Sequence, residues 1–108
     1  MKKIIVVSGG FDPIHSGHIS YLNEAKKIGD KLIVALNSDE WLSKKKGKNF
    51  MSFHERKIII ENLKSVDEVM GFQDDKKGSC INALKSIIKK YKNDEIIFCN
   101  GGDRNKDN

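Results

Sequence analysis

The sequence predicts an open α/β sheet, in which parallel strands alternate with helices. Two runs of apolar residues, Ile4–Val7 and Leu32–Leu36, are typical of parallel strands that are buried on both faces. Between them the apolar residues follow helical spacing from Ile19 to Ile28, and Gly29 ends the pattern. These three segments predict a strand–helix–strand unit, whose crossover connection should be right-handed.

The rest of the chain continues the alternation of helix and strand. In order, the sequence predicts a short helix after Asn37–Asp39, a polar basic loop over Lys44–Asn49, a helix from Ser52 to about Lys64, a strand over Val66–Phe72, a helix with an apolar face from Ile81 to Tyr91, and a strand over Ile96–Cys99. Ser52 and Glu55 have the spacing of a capping box. No internal repeat or linker divides the chain, so a single domain over residues 1–108 is expected.

The composition fits one domain with a modest core. Hydrophobic residues make up 38% of the chain and charged residues 32%, without a low-complexity tract, which argues against disorder. The net charge of +5 is explained either by a lysine-rich surface or by an anionic partner. Cys80 and Cys99 form neither a CxxC pair nor a zinc spacing, which favours reduced thiols. The first apolar run is too short for a signal peptide or a membrane span, so a cytoplasmic location without membrane contact is expected.

The segment Gly9–His18, between the first strand and the first helix, carries the strongest functional pattern. Its glycines let main-chain N–H groups face an anion, and a helix that begins near Ser16 directs its positive end to the same place. His15 and His18 can donate hydrogen bonds to phosphate oxygens, and Gly17 removes a side chain where a ligand would press. A metal site is the alternative for two histidines at this spacing, but no third ligand is evident nearby. The pattern therefore predicts a polyphosphate site.

The same segment resembles the HxGH motif of the nucleotidyltransferase superfamily, and the chain is similar to its cytidylyltransferase-like branch. That branch includes glycerol-3-phosphate cytidylyltransferases and heptose-phosphate adenylyltransferases. Further matching segments follow in order: Ala35–Glu40, Glu55–Lys57, Val66–Val69 and Gly101–Asp103. The resemblance implies a Rossmann-like open parallel sheet with helices on both faces. Family members usually continue with a motif like ISSTxIR, which this sequence lacks. We therefore expect a C-terminally incomplete domain without the last strand and helix, either as a piece of a longer protein or as a reduced form.

The resemblance also implies a reaction and a set of site residues. An acceptor phosphate oxygen attacks the α-phosphorus of CTP or ATP, and Mg²⁺ is held mainly by the nucleotide phosphates. The acceptor is a phosphorylated sugar, polyol or similar small molecule. The expected catalytic residues are His15, His18 and Lys45, without metal-ligating side chains. The expected nucleotide-binding residues are Gly9, Gly10, Phe11, Gly17, Lys46, Lys48, Gly102 and Asp103. Asp12 and Arg56 are expected to bind substrate, and related enzymes suggest a homodimer.

Each assignment has a structural alternative. The lysines of the basic segment also suit a solvated surface loop. Arg56 also suits an ion pair with a carboxylate on a helix surface, whereas the resemblance implies that it holds substrate or the basic loop. Asp39 is interpreted as a helix cap, although it also suits a cleft residue. For the whole chain, the alternative is a nucleotide-binding module without catalysis. A third possibility, a basic nucleic-acid-binding domain, is supported only by the net charge of +5. The sequence lacks aromatic platforms for bases, so no nucleic-acid partner is expected.

Overall fold

A computed structural model of the chain describes residues 2–48, 50–71 and 81–99; for residues 41, 45, 46 and 81–84 it describes the backbone alone. Strands and helices alternate along these residues, as the sequence predicts. They are β1 (Lys3–Gly9), α1 (Ser16–Ile28), β2 (Lys31–Leu36), α2 (Asp39–Lys46), α3 (Phe53–Glu61), β3 (Glu68–Gly71), α4 (Ile81–Lys90) and β4 (Glu95–Cys99). The strands form one parallel sheet in the order β3-β2-β1-β4.

The two central strands are buried on both faces of the sheet. Every residue of Ile4–Val7 and Leu32–Leu36 is at most 1% exposed. Alternate residues of these strands pack against Leu22 of α1 and Ile60 of α3 on one face. The other residues pack against Ile87 of α4 on the opposite face. The prediction of a Rossmann-like sheet with helices on both faces is therefore confirmed.

The strand order creates a switch point beside β1. The chain moves outward from β1 to β2 and β3 and then returns to place β4 on the other side of β1. Because crossover connections share one hand, this reversal moves the connecting helix to the opposite face. Ligands of such sheets bind at the carboxyl ends of the strands where the order reverses. The loop from β1 to α1 leaves the sheet at this point.

Several predicted boundaries were wrong. Lys44–Lys46 belong to the last turn of α2 rather than to a loop, because no helix-breaking residue occurs before Gly47, whose φ of 86° is left-handed. Helix α3 ends at Glu61, and the Asn62 N–H bonds the carbonyls of the preceding turn. Strand β3 covers Glu68–Gly71, which is shorter at its start than predicted; the predicted end, Phe72, lies outside the described residues.

Only some of the apolar residues of α1 are buried. Leu22 and Ala25 are buried, whereas Ile19 and Ile28 are 38% and 51% exposed. Steps of three residues drift by about 60° around an α-helix, so residues nine positions apart lie on opposite sides. In α4, Ile88 is likewise 49% exposed, while Ile87 is buried. The longest described helix has 13 residues, and none of the described helices is long and apolar enough to cross a membrane.

Candidate phosphate-binding site

Two histidines cap the start of α1 reciprocally. His15 is the N-cap residue with an extended backbone, and its Nδ1 accepts a hydrogen bond of 3.0 Å from the Gly17 N–H. His18, at the third helical position, accepts a hydrogen bond of 3.1 Å at its own Nδ1 from the His15 N–H. The arrangement is a capping box in which imidazoles replace the usual Ser/Thr and Glu/Gln side chains. The predicted helix start near Ser16 is confirmed, and His18 lies in the first turn.

The reciprocal cap determines which ring nitrogen of each histidine carries the proton. A nitrogen that accepts a hydrogen bond carries no proton, so each neutral imidazole carries its proton on Nε2. The two rings stack with centroids 4.0 Å apart and planes inclined by 28°. His15 is exposed and His18 half-buried. The arrangement provides two neighbouring N–H donors at the positive end of a helix dipole, which suits an anion.

Gly17 gives the His15 ring its place. A Cβ atom at Gly17 would lie 2.9 Å from Cε1 and 3.1 Å from Nδ1 of that ring. The sequence suggested that Gly17 makes room for a ligand. In the structure the imidazole of His15 occupies this space, so the missing side chain at Gly17 makes room for the helix cap.

Phe11 supports His18 from inside the protein. Its backbone is left-handed, with a φ of 51°, and its side chain is 6% exposed. The Phe11 ring meets the His18 ring edge-on, with centroids 5.0 Å apart. A Cβ at Gly9 would lie 3.0 Å from the same phenyl ring, and one at Gly10 would lie 2.7 Å from Leu42 of α2. Positive φ at a non-glycine residue costs free energy and clusters at functional sites.

Asp12 ties the loop after β1 to the segment before α3. Its carboxylate is 9% exposed and accepts hydrogen bonds from the N–H groups of Phe50, at 2.7 Å, and Met51, at 2.6 Å. These contacts give Asp12 a structural task in the protein. Its predicted contact with substrate stays a prediction.

Arg56 is a fully buried side chain that joins four segments around the site. Its Nη1 donates to the carbonyl oxygens of Gly10, at 2.9 Å, and Asn37, at 2.8 Å. Its Nε donates to the Met51 carbonyl at 3.1 Å, and its Nη2 to Oδ1 of Asp39 at 2.7 Å. In this arrangement the guanidinium is turned to protein acceptors, and a substrate has no access to it. Its predicted role in substrate binding would require this network to open.

The other predicted residues lie near this end of the sheet or outside the described part. Lys48 is exposed just after Gly47, whereas Lys45 and Lys46 are described only as backbone in the last turn of α2. Gly102 and Asp103 lie outside the described residues. The prediction that the domain is incomplete at its C-terminus also concerns that part of the chain and stays a prediction. Among the described residues, no group of three or more His, Cys, Asp or Glu side chains is placed to hold a metal ion.

Three features of the site were not predicted from the sequence. They are the reciprocal cap, the pairing of Asp39 with Arg56, and the Tyr21 hydroxyl that donates to the Cys99 carbonyl at 3.1 Å. The Tyr21 contact fastens α1 to the carboxyl end of β4. A signal for the burial of Arg56 was present, because Phe53, Arg56 and Ile60 share one helical face. No sequence signal indicates the Tyr21 contact.

The fold and the loop after β1 place the chain among α/β domains whose ligand site lies at the carboxyl ends of parallel strands. The family model described as cytidylyltransferase-like matches residues 6–107, and the chain belongs to that family. The bifunctional protein HldE of Haemophilus ducreyi is 38% identical over 112 residues, which cover 94% of this chain and 24% of the relative. HldE of Salmonella arizonae is 37% identical with the same coverage. The chain therefore spans about a quarter of the length of these relatives.

A solved structure has the same fold. The lipopolysaccharide core biosynthesis protein from Thermoplasma volcanium superposes with a TM-score of 0.66 at 26% identity, covering 93% of this chain and 96% of that one. Together with the family match, this similarity supports a nucleotidyltransferase domain.

Proposed function

We propose that this domain transfers AMP or CMP from ATP or CTP to a phosphorylated sugar, polyol or similar small molecule and releases pyrophosphate. The observation that carries the proposal is the histidine pair at the start of α1. Both rings accept backbone N–H groups at Nδ1, so their protons lie on Nε2, beside the switch point of a cytidylyltransferase-like sheet.

The proposed reaction is a displacement at phosphorus. An oxygen of the acceptor phosphate forms a bond to the α-phosphorus, and the bond from the α-phosphorus to the bridging oxygen of the β-phosphate breaks. Pyrophosphate leaves with that electron pair, and no covalent enzyme intermediate forms. Negative charge grows on the phosphate oxygens during the step. The Nε2–H groups of His15 and His18 are pre-oriented donors for this charge, because the helix cap holds both rings.

The donor set of the site fits Mg²⁺ that is carried by the nucleotide. The Asp12 carboxylate accepts two backbone N–H groups, and the described residues offer no cluster of oxygen ligands. Mg²⁺ keeps water ligands readily and is often bound through substrate phosphates. When bound, it would neutralise charge on the triphosphate. In this proposal Lys45, Lys46 and Lys48 add positive charge from the end of α2 and the residues after it.

The proposal also concerns which nucleotide base and which acceptor the domain uses. The chain resembles heptose-phosphate adenylyltransferases in sequence, and HldE proteins are among its relatives at 38% identity. This similarity favours ATP as the first donor to test, with CTP beside it. Gly102 and Asp103, which follow β4, are proposed to contact the nucleoside. A cytoplasmic homodimer belongs to the same proposal.

Titration calorimetry with MgATP, MgCTP, MgGTP and MgUTP tests the nucleotide site. A ligand that binds only the folded state at about 100 times its Kd also stabilises the protein by about 2.7 kcal/mol, which a thermal shift detects. Pyrophosphate release is then measured with a panel of sugar and polyol phosphates. Selective binding with acceptor-dependent release supports the enzyme. Binding without release from any acceptor indicates a nucleotide-binding module instead, and no binding of any nucleotide refutes both.

A further inference from the structure

We infer that Arg56 is a positioning residue for the candidate site, which holds the loop after β1 in the shape that the two histidines require. The inference deepens the proposed function and rests on it only where activity is measured. Three backbone carbonyls from separate segments, at Gly10, Asn37 and Met51, accept hydrogen bonds from one fully buried guanidinium.

The contacts form a closed ring around the loop. Arg56 donates to the carbonyls of Gly10 and Met51, and the Met51 N–H donates to Asp12, which lies two residues after Gly10. The path therefore begins and ends on the same short loop. Each hydrogen bond limits the freedom of the next, so the backbone from Gly10 to Asp12 is held on two sides. Phe11 lies between these two points, and its ring contacts His18.

The same guanidinium connects the loop to α2. Its Nη2 donates to Asp39, the first residue of α2, and its Nη1 donates to Asn37. The Asn37 N–H in turn donates to the Gly9 carbonyl at 3.0 Å. Arg56 thereby sets the start of α2 relative to the end of β1. The opposite end of α2 carries the lysines that are proposed to reach the triphosphate.

Only arginine has the donor geometry for this task. A guanidinium presents five N–H donors in a planar fork, whereas a lysine ammonium is a point charge on a flexible stem. Arg56→Lys keeps the charge but is unable to reach the carbonyls of Gly10, Asn37 and Met51 and the Asp39 carboxylate together. The substitution therefore separates charge from geometry.

Amide hydrogen exchange of the ligand-free chain tests the positioning without any assumption about function. In Arg56→Lys we expect the amides of Asn37, Phe50 and Met51 to exchange at least about tenfold faster, because local opening becomes easier. The amides of Lys3 and Leu32, which bond to Asp30 and Asp67 elsewhere in the molecule, should keep their rates. Uniform acceleration of all these amides, or none, would overturn the inference, since a merely stabilising residue changes them together.

Activity provides the second readout. For Arg56→Lys we expect kcat/KM for pyrophosphate release to fall about 100-fold at a temperature where circular dichroism shows a folded protein, because displaced groups lose catalytic geometry. Asp39→Asn should show a weaker version of both effects, and it replaces Arg56→Lys if that variant does not fold. The control is Lys57→Gln, which removes a charge from the next position of α3, where Lys57 pairs with Glu61, and should change neither readout.

The possible results separate the two proposals. If Arg56→Lys accelerates only the selected amides and the wild-type protein binds no nucleotide, the positioning role is supported and the proposed function is refuted. Normal exchange with lowered nucleotide affinity in Arg56→Lys would overturn the positioning role in favour of direct ligand contact, and would leave the function standing.

Discussion

The two ends of the sheet are held by different kinds of contact. At the amino ends of the strands, partly exposed side chains bond to strand starts: Asp30 accepts the Lys3 N–H at 2.8 Å, and Asp67 accepts the Leu32 N–H at 2.7 Å. At the carboxyl ends, the buried side chains of Asp12 and Arg56 bond to backbone groups of the loops.

A charged network covers the amino end next to α4. Lys31 donates to the Tyr91 hydroxyl at 2.6 Å, and that hydroxyl donates to Glu68 at 2.8 Å. Lys90 also donates to Glu68 at 3.0 Å. Burial raises the pKa of Glu68, but the hydrogen bonds from Lys90 and Tyr91 outweigh it, so the pKa lies below its ordinary value. The hydrogen bond to Tyr91 is the main cause that raises the pKa of Lys31.

The difference follows from what each end has to hold. The amino-end pairs join strands and helices that the core already places, and solvent weakens such pairs. The carboxyl end consists of irregular loops, whose backbone groups have no ladder to satisfy them. Buried side chains with several donors or acceptors supply those partners. The site therefore depends on a few residues, whereas the amino end spreads its stability over many weak contacts.

Arg56→Met should give the largest loss of stability. Removing the guanidinium leaves three carbonyls without their donor, so the free energy of unfolding should fall by about 3 to 5 kcal/mol in urea denaturation. The matched change at the other end, Lys31→Met, should cost about 1 kcal/mol or less because that side chain is 33% exposed. Equal losses would remove the distinction between the two ends.

His15→Asn should separate the helix cap from the chemistry. Asparagine caps helices well, so the free energy of unfolding should stay within about 0.5 kcal/mol. The variant lacks the Nε2–H donor, and kcat for pyrophosphate release should fall about 100- to 1,000-fold. His15→Ala should show the same loss of kcat and a further loss of about 1 kcal/mol in stability. Full turnover in His15→Asn would contradict the role assigned to the ring.

Asp12→Asn should lower stability by about 1.5 to 3 kcal/mol, measured by urea denaturation. The carboxylate accepts two backbone N–H groups, and an amide offers only one acceptor oxygen for them. Asp30→Asn is the control from the amino end, where an exposed carboxylate accepts the Lys3 N–H, and it should cost less than about 1 kcal/mol. A smaller loss for Asp12→Asn than for Asp30→Asn would be the opposite of this expectation.

Gly17→Ala should change the site more than the stability. The new Cβ displaces the His15 ring and removes its cap, which costs about 1 kcal/mol. Alanine favours the helix over glycine by a similar amount, so the two effects nearly cancel. We expect nucleotide affinity to fall about tenfold in calorimetry, since the ring no longer points its donor as before. Unchanged affinity would show that the ring position is not needed.

Asp67→Asn should have the smallest effect, and the effect should depend on pH. Burial raises the pKa of Asp67, but hydrogen bonds from Lys26 and the Leu32 N–H outweigh it, so the folded pKa lies below the ordinary value of 3.8. Its contribution is therefore complete above that value and is lost as the pH falls through the lower folded pKa. Urea denaturation at pH 7 should show a difference of less than about 1 kcal/mol, which shrinks at lower pH. A stability difference that grows on acidification would mean that folding raises the pKa of Asp67 instead of lowering it.

Local patterns in the sequence determined the elements and the place of the site. The runs Ile4–Val7 and Leu32–Leu36 predicted the buried strands, and the motif around His15 and His18 predicted a helix start at a strand end. These predictions succeed because strand alternation, helical spacing and helix caps involve residues that are close along the chain. The predicted helix boundaries were less accurate, because a polar segment such as Lys44–Lys46 is equally compatible with a loop and with a helix end.

Only the tertiary structure decided how the site is held together. Asp12 bonds to residues 38 and 39 positions away, Arg56 reaches Gly10 across 46 positions, and Tyr21 reaches Cys99 across 78. Such contacts depend on which surfaces of the finished elements meet, and no local pattern encodes that. Arg56 illustrates the limit. The sequence predicted a substrate contact or a surface ion pair, whereas the side chain is buried, and its carbonyl partners come together only after β1, β2 and α3 have packed. The sequence thus determines which hydrogen-bonding side chains are present, and the packing of the elements determines which backbone groups they bond.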